Sequence, residues 1–102
     1  MAKFNVAIDH QLSRQDAVEK LKGFSANLRS EVRDRVTDVE ESWDEDGNLN
    51  FSFKALGFEV SGQMVTCDSQ VTVAGNLPFA ALPFRGAIES EVKQRLQEAI
   101  ES

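Results

Sequence analysis

His10 is the chain's one histidine and Cys67 its one cysteine, which limits the chemistry these residue types can offer. A lone imidazole cannot build a two-histidine metal site and weakens any general-base scheme, although with Asp9, Asp16 or another carboxylate beside it His10 could polarise a substrate. The structural alternative is the stronger: between a strand and a helix, its two ring nitrogens suit backbone groups. Cys67, between Thr66 and Asp68, lacks the cationic or helix-terminal surroundings of a reactive thiolate and reads as an inert residue near a turn. Six acids, Asp38, Glu40, Glu41, Asp44, Glu45 and Asp46, follow one another with no intervening base. Laid on a calcium loop, Ser42, Asp44, Asp46, Gly47 and Asn48 fit, but Phe53 falls where the bidentate carboxylate belongs. The run therefore reads as a solvated hairpin tip. There is no G-x-S-x-G elbow, and Gly57, Gly62 and Gly75 lack phosphate-loop spacing. No catalytic residue, cofactor or metal is expected.

Two further candidates are apolar. Trp43, the single tryptophan, stands either in the core or, with His10, at the rim of a pocket. Leu77-Pro78-Phe79-Ala80-Ala81-Leu82-Pro83-Phe84 is the most apolar run in the chain. Turned outward, Leu77, Phe79, Leu82 and Phe84 make a contact surface for another subunit, a lipid or a polymer; turned inward, they plug the end of the core, which is the favoured expectation.

These side chains need elements to position them. Phe4, Val6 and Ile8 alternate with Asn5, Ala7 and Asp9, the period of a strand with one buried face. Ser13 is a good N-cap with Asp16 three residues on and Leu12 placed to staple onto Ala17. The helix so opened carries Ala17, Val18, Leu21, Phe24, Leu28 and Val32 on one stripe, and Gly23 is expected to permit close approach to the sheet. Val39, Glu41 and Trp43 then share a strand face, and Asp46-Gly47 predicts a type I′ hairpin turn. Leu49, Phe51 and Phe53 alternate in the next strand, Ala55-Leu56-Gly57 turns, and Phe58, Val60, Gly62 and Met64 follow on one face. Cys67-Asp68-Ser69 makes a third turn before Val71, Val73, Gly75 and Leu77. Pro78 and Pro83 stop the strand, and a closing helix buries Phe84, Ile88, Val92, Leu96 and Ala99 or Ile100.

The order is β-α-β-β-β-β-α, which predicts an α+β fold. Its single five-stranded antiparallel sheet carries both helices on one face, in a reduced helix-grip-like arrangement. Strand one is expected to pair with strand five, with strand two as the competing neighbour. At 102 residues, positions 1–102 form a single α+β domain, large enough for a modest core without staples.

Charge and composition exclude several partners. With 17 acids against 11 bases the net charge is −6, which disfavours phosphate backbones and anionic lipid, so no nucleic acid is expected. No stretch approaches the ~18 consecutive apolar residues of a transmembrane segment. The lone cysteine and the absence of a signal-peptide-like start predict a soluble, cytoplasmic protein.

Ile8-Asp9-His10-Gln11-Leu12-Ser13 before a capped helix, Trp43 ahead of the Gly47 hairpin, and Leu49-Asn50-Phe51 form a pattern across the chain. Gly57-Phe58, Gly62, Val71, Val73, Leu77 and Ile88-Glu89 continue it, and over nearly its whole length the chain resembles the bacterial polyhydroxyalkanoic acid system proteins. The resemblance carries over no catalytic residue. It implies association with genes for making or using polyhydroxyalkanoate storage polyester, and residence at the storage-granule surface.

The leading expectation is a non-enzymatic accessory or binding protein of that storage-polymer system. It would touch the polymer granule surface or a granule protein through Leu77 to Phe84. One alternative is a binding protein or enzyme for a lipid-like or hydroxyacyl small molecule held between helices and sheet. The other is a structural module that forms a homodimer through a helix or an edge strand.

Overall fold

The computed structural model describes residues 2–55 and 57–101; Leu56 of the expected third-to-fourth strand turn, and the side chain of Val32 on the helix stripe, lie outside the described residues. The elements are β1 (Ala2–Asp9), α1 (Arg14–Val32), β2 (Val36–Trp43), β3 (Leu49–Ala55), β4 (Phe58–Thr66) and β5 (Gln70–Leu77). A 3-10 helix (Phe79–Phe84) and α2 (Arg85–Glu101) complete the chain. The strand order is β1-β5-β4-β3-β2 with every pair antiparallel, so β1 does join β5 rather than β2.

Helix α1 starts where the sequence places its cap: Ser13 Oγ accepts the Asp16 N–H at 3.1 Å, satisfying one of the free donors of the first turn. Ala17 and Leu21 of α1 and Leu96 and Ile100 of α2 share one buried cluster with Phe4, Val6, Ile8, Val71, Val73 and Leu77. Both helices therefore cover the same face of the sheet, while Lys3, Asn5, Ala7 and Asp9 alternate outward. Leu21, Leu96 and Val71 are the largest fully buried side chains, each worth roughly 1.5–3 kcal/mol of burial.

Across the inner face, register aligns Glu41, Phe51, Gly62, Gly75 and Phe4 in one row. A Cβ added at Gly62 would meet Phe51 Cζ at 2.8 Å, and one at Gly75 would meet Phe4 Cε1 at 2.6 Å. The two glycines thus leave room for two phenyl rings to lie across the middle of the sheet. Gly23 behaves otherwise than expected. Nothing lies within 4 Å of the position its Cβ would take, so it opens to solvent and brings no backbone close to the sheet. Gly23→Ala should accordingly stabilise the protein by about 0.5–1 kcal/mol, since only the helix-interior penalty of glycine is removed. A thermal melt followed by circular dichroism should show Tm rising by roughly 2–8 °C.

Both sheet edges are occupied or distorted. On β1, the Asn5 N–H donates to the Glu89 carboxylate of α2 at 2.8 Å. On β2, register shifts between Thr37 and Glu40, leaving Asp38 and Val39 opposite Phe53, and Asp38 takes a φ of 53°. This β-bulge interrupts regular pairing at that edge.

The hairpin after β2 departs from the type I′ turn. Among the described residues around it only Gly47 has positive φ, at 83°, whereas type I′ requires it at Asp46 too. Gly47 N–H donates to Asp44 O at 3.2 Å and Asp44 N–H to Asn48 O at 2.9 Å, a type I turn closed by a left-handed glycine. The cause is Asp44: its Oδ1 accepts the N–H groups of Asp46 at 2.9 Å and Asn48 at 2.8 Å.

Candidate functional site

The run Leu77 to Phe84 divides in two. Leu77 ends β5 inside the core at 3% exposure and so does not share the exposed surface. Phe79, Leu82 and Phe84 are 69%, 44% and 63% exposed, so they do not plug the core. Proline explains the local geometry. Pro78, extended at φ −64° and ψ 153°, precedes the 3-10 helix, and Pro83 inside it has no N–H for an α-helical bond back to Phe79. The chain closes i to i+3 instead: Ala81 N–H donates to Pro78 O at 2.9 Å and Arg85 N–H to Leu82 O. A three-residue period places Phe79 and Leu82 on one face, while Ala81 packs against the core. Phe84, expected on the buried stripe of the closing helix, instead precedes α2 and faces solvent. Three of the five exposed large hydrophobics among the described residues thus lie within six positions.

His10 is 6% exposed and both its ring nitrogens are engaged. Nδ1 accepts the Leu12 N–H at 3.1 Å, which leaves Nε2 as the protonated nitrogen, donating to Cys67 O at 2.8 Å. With His10 N–H bonded to Ser69 O at 2.9 Å, the residue ties the β1–α1 junction to the β4–β5 turn. Trp43 is half-buried against the core, with Lys22 Nζ 5.5 Å from its ring centroid. His10 follows β1 and Trp43 ends β2, the two opposite edges of the sheet, about 19 Å apart across four strand spacings. The structure does not bring them together at one rim. A groove of about 420 Å³ runs instead between α1 and α2, lined by Gly23, Phe24, Leu28, Glu31, Arg95 and Glu98, and it is open to solvent.

The acidic stretch has individual roles that its composition hid. Glu41 points to the inner face, only 13% exposed, where Ser25 Oγ donates to it and Arg29 Nη1 lies 2.7 Å away. It anchors α1 to β2. Arg95 bridges the helices, 2.8 Å from Glu91 on α2 and 3.2 Å from Glu31 on α1, and its pKa is raised chiefly by Glu91 and then by Glu31. Among the described residues no three His, Cys, Asp or Glu side chains are grouped to hold a metal ion.

Asp44 is held below the ordinary carboxylate value of 3.8, first by the backbone N–H of Asn48 and further by Asp46 and Gly47. A carboxylate whose folded pKa is depressed stabilises the fold fully above its unfolded value and loses that contribution as pH falls through the folded one. Stability should therefore begin to drop near pH 3.8 and continue below it. Asp44→Asn, which keeps an acceptor oxygen without titrating, should flatten that part of a Tm-against-pH curve; an unchanged slope would assign it to other acids.

Fold and surface together define a single-sheet α+β protein whose distinguishing feature is a proline-braced apolar turn. The chain belongs to the polyhydroxyalkanoic acid system protein family, whose model matches residues 4–100. No curated protein and no solved structure matches it. No helix among the described residues is long and apolar enough to cross a membrane.

Proposed function

We propose that the protein is a non-enzymatic accessory protein of the polyhydroxyalkanoate storage-polymer system. In this reading it binds the polymer granule through Phe79, Leu82 and Phe84. The observation that carries this reading is the exposure of three large apolar side chains on a turn that Pro78 and Pro83 brace. A turn held in this way loses little conformational freedom on contact, so more of the gain from burying its rings appears as affinity. Family membership supplies the polymer context. The net charge of −6 favours water over anionic surfaces for the rest of the molecule.

Substituting both Phe79→Ser and Leu82→Ser should lower co-sedimentation with polyester granules by roughly tenfold per side chain removed. Both positions are exposed, so far-ultraviolet circular dichroism and Tm should stay as in the unsubstituted protein. Undiminished granule binding by the folded double variant would overturn the proposal. Should sedimentation equilibrium show a dimer that the double variant loses while granule binding persists, the turn belongs to self-association instead.

A further inference from the structure

The antiparallel meander sorts the chain's connections onto two ends of the sheet. The start of β1, the α1–β2 connection, the β3–β4 turn and the exit of β5 into the 3-10 helix and α2 share one end. The β1–α1, β2–β3 and β4–β5 connections share the other with the last turn of α2. Four of the five exposed large hydrophobics among the described residues, Phe58, Phe79, Leu82 and Phe84, stand at the first end.

Charge is sorted the same way. The aromatic end carries Lys3, Arg33, Arg35, Lys54 and Arg85 against Asp34, Asp38 and Glu59. The far end carries Asp9, Asp16 and Asp68 beside the hairpin's Asp44, Glu45 and Asp46. Glu98 and Glu101 of α2 join them, against Arg14 alone. The aromatic end is therefore net positive by two and the far end net negative by seven, in a chain whose total of −6 hides that polarity. Lys54 lies 3.4 Å from Asp38, whereas Lys3, Arg33, Arg35 and Arg85 form no ion pair among the described residues.

We propose that this end docks on an anionic lipid layer, its apolar side chains entering the acyl region and its basic collar meeting the headgroup phosphates. The inference deepens the granule reading, on which it rests for the apolar turn, by naming the layer that the turn enters. Bare polyester carries no charge along its chain, so a collar of cations gains nothing there. An anionic headgroup layer over an apolar phase answers both features at once, since juxtamembrane cations add to the burial of apolar groups. A rigid partner would need a pocket for each projecting side chain, whereas fluid acyl chains mould around them. The acidic far end is repelled by the same layer, so only one orientation docks.

The test co-sediments the protein with vesicles of phosphatidylcholine alone and with vesicles carrying about one third phosphatidylglycerol. Only the second should retain it, and retention should fall in about 1 M salt, where charges are screened beyond ~3 Å. Arg33→Gln and Arg35→Gln should each weaken binding by roughly fivefold. Arg14→Gln removes the same charge at the far end and should change nothing. All three arginines are exposed, so Tm should stay as in the unsubstituted protein. Phe58→Ser, checked for folding by its melt, should weaken vesicle binding by roughly tenfold, although the granule reading does not use Phe58. No retention on either vesicle, equal retention on both, or an equal loss with Arg14→Gln would overturn the inference. So would a dimer seen without lipid that Arg35→Gln dissolves, which would assign the basic end to the acidic end of a second copy. Lipid-free polyester particles separate the two readings: if they hold the protein while anionic vesicles do not, the granule contact stands and only the lipid layer is lost.

Discussion

Gly75→Ala should cost about 3–5 kcal/mol of stability, the largest effect expected of a single methyl group anywhere in the sheet. The new Cβ would meet the backbone carbonyl oxygen of Ser61 and lie 2.6 and 2.9 Å from two ring carbons of Phe4. A backbone oxygen held in the β4–β5 ladder cannot swing aside, so the adjustment falls on the strand pairing or on the phenyl ring. Overpacking of this kind costs about 1–3 kcal/mol. Displacing Phe4, which is 5% exposed, forfeits roughly another 1.5–3 kcal/mol of burial. Against a total of about 5–15 kcal/mol for a chain this size, that is a large share. Urea denaturation should show the midpoint collapsing, and Tm should fall by at least about 12 °C. A further substitution tests the cause: adding Phe4→Leu to Gly75→Ala should recover part of the loss, because a smaller side chain vacates the space. If Gly75→Ala melts within a degree or two of the unsubstituted protein, the ring does not lie over the glycine.

His10→Ala should cost about 2–4 kcal/mol. The imidazole serves two backbone groups, accepting from Leu12 N–H and donating to Cys67 O, and its removal leaves both unpartnered in a half-buried site. An unsatisfied buried polar group costs roughly 1–3 kcal/mol, and the space vacated adds to it. His10→Gln is the informative partner, since its amide nitrogen reaches toward the place of Nε2 and can donate to Cys67 O. It should recover part of the loss without restoring the acceptor for Leu12. Denaturant melts give the magnitudes, and amide exchange gives the location: Leu12 should lose protection in both variants. A His10→Ala protein as stable as its parent, within about 0.5 kcal/mol, would show that the ring is no structural tie.

Most of the architecture was legible because period decides it. Alternation at Phe4, Val6 and Ile8, the Ser13 cap with its Asp16 partner, and the three-and-four spacing around Leu21 each point to one element only. The errors lie where a side chain overrides a local rule. Asp-Gly signals a type I′ turn, but the Asp44 carboxylate gathers two N–H groups and draws the loop into a different closure. Phe84 fits a helical stripe by spacing, yet Pro83 keeps the preceding turn tight and leaves that ring in water. Glu41 reads as one more solvated acid because its partners, Ser25 and Arg29, are distant in sequence. The paired roles of Gly62 and Gly75 emerge only from strand register, which places each opposite the other and beside a phenylalanine. The outward side chains of Phe79 and Leu82 were hidden for a simpler reason: an apolar run reads alike whichever way it faces.

The guarded margins of the sheet bear on behaviour at high local density. Glu89 occupies an outward amide of the first strand, and the kink at Asp38 together with its acidic neighbours spoils the opposite margin as a template. Copies crowded side by side on a common surface would therefore lack a straight, vacant backbone on which to stack end to end.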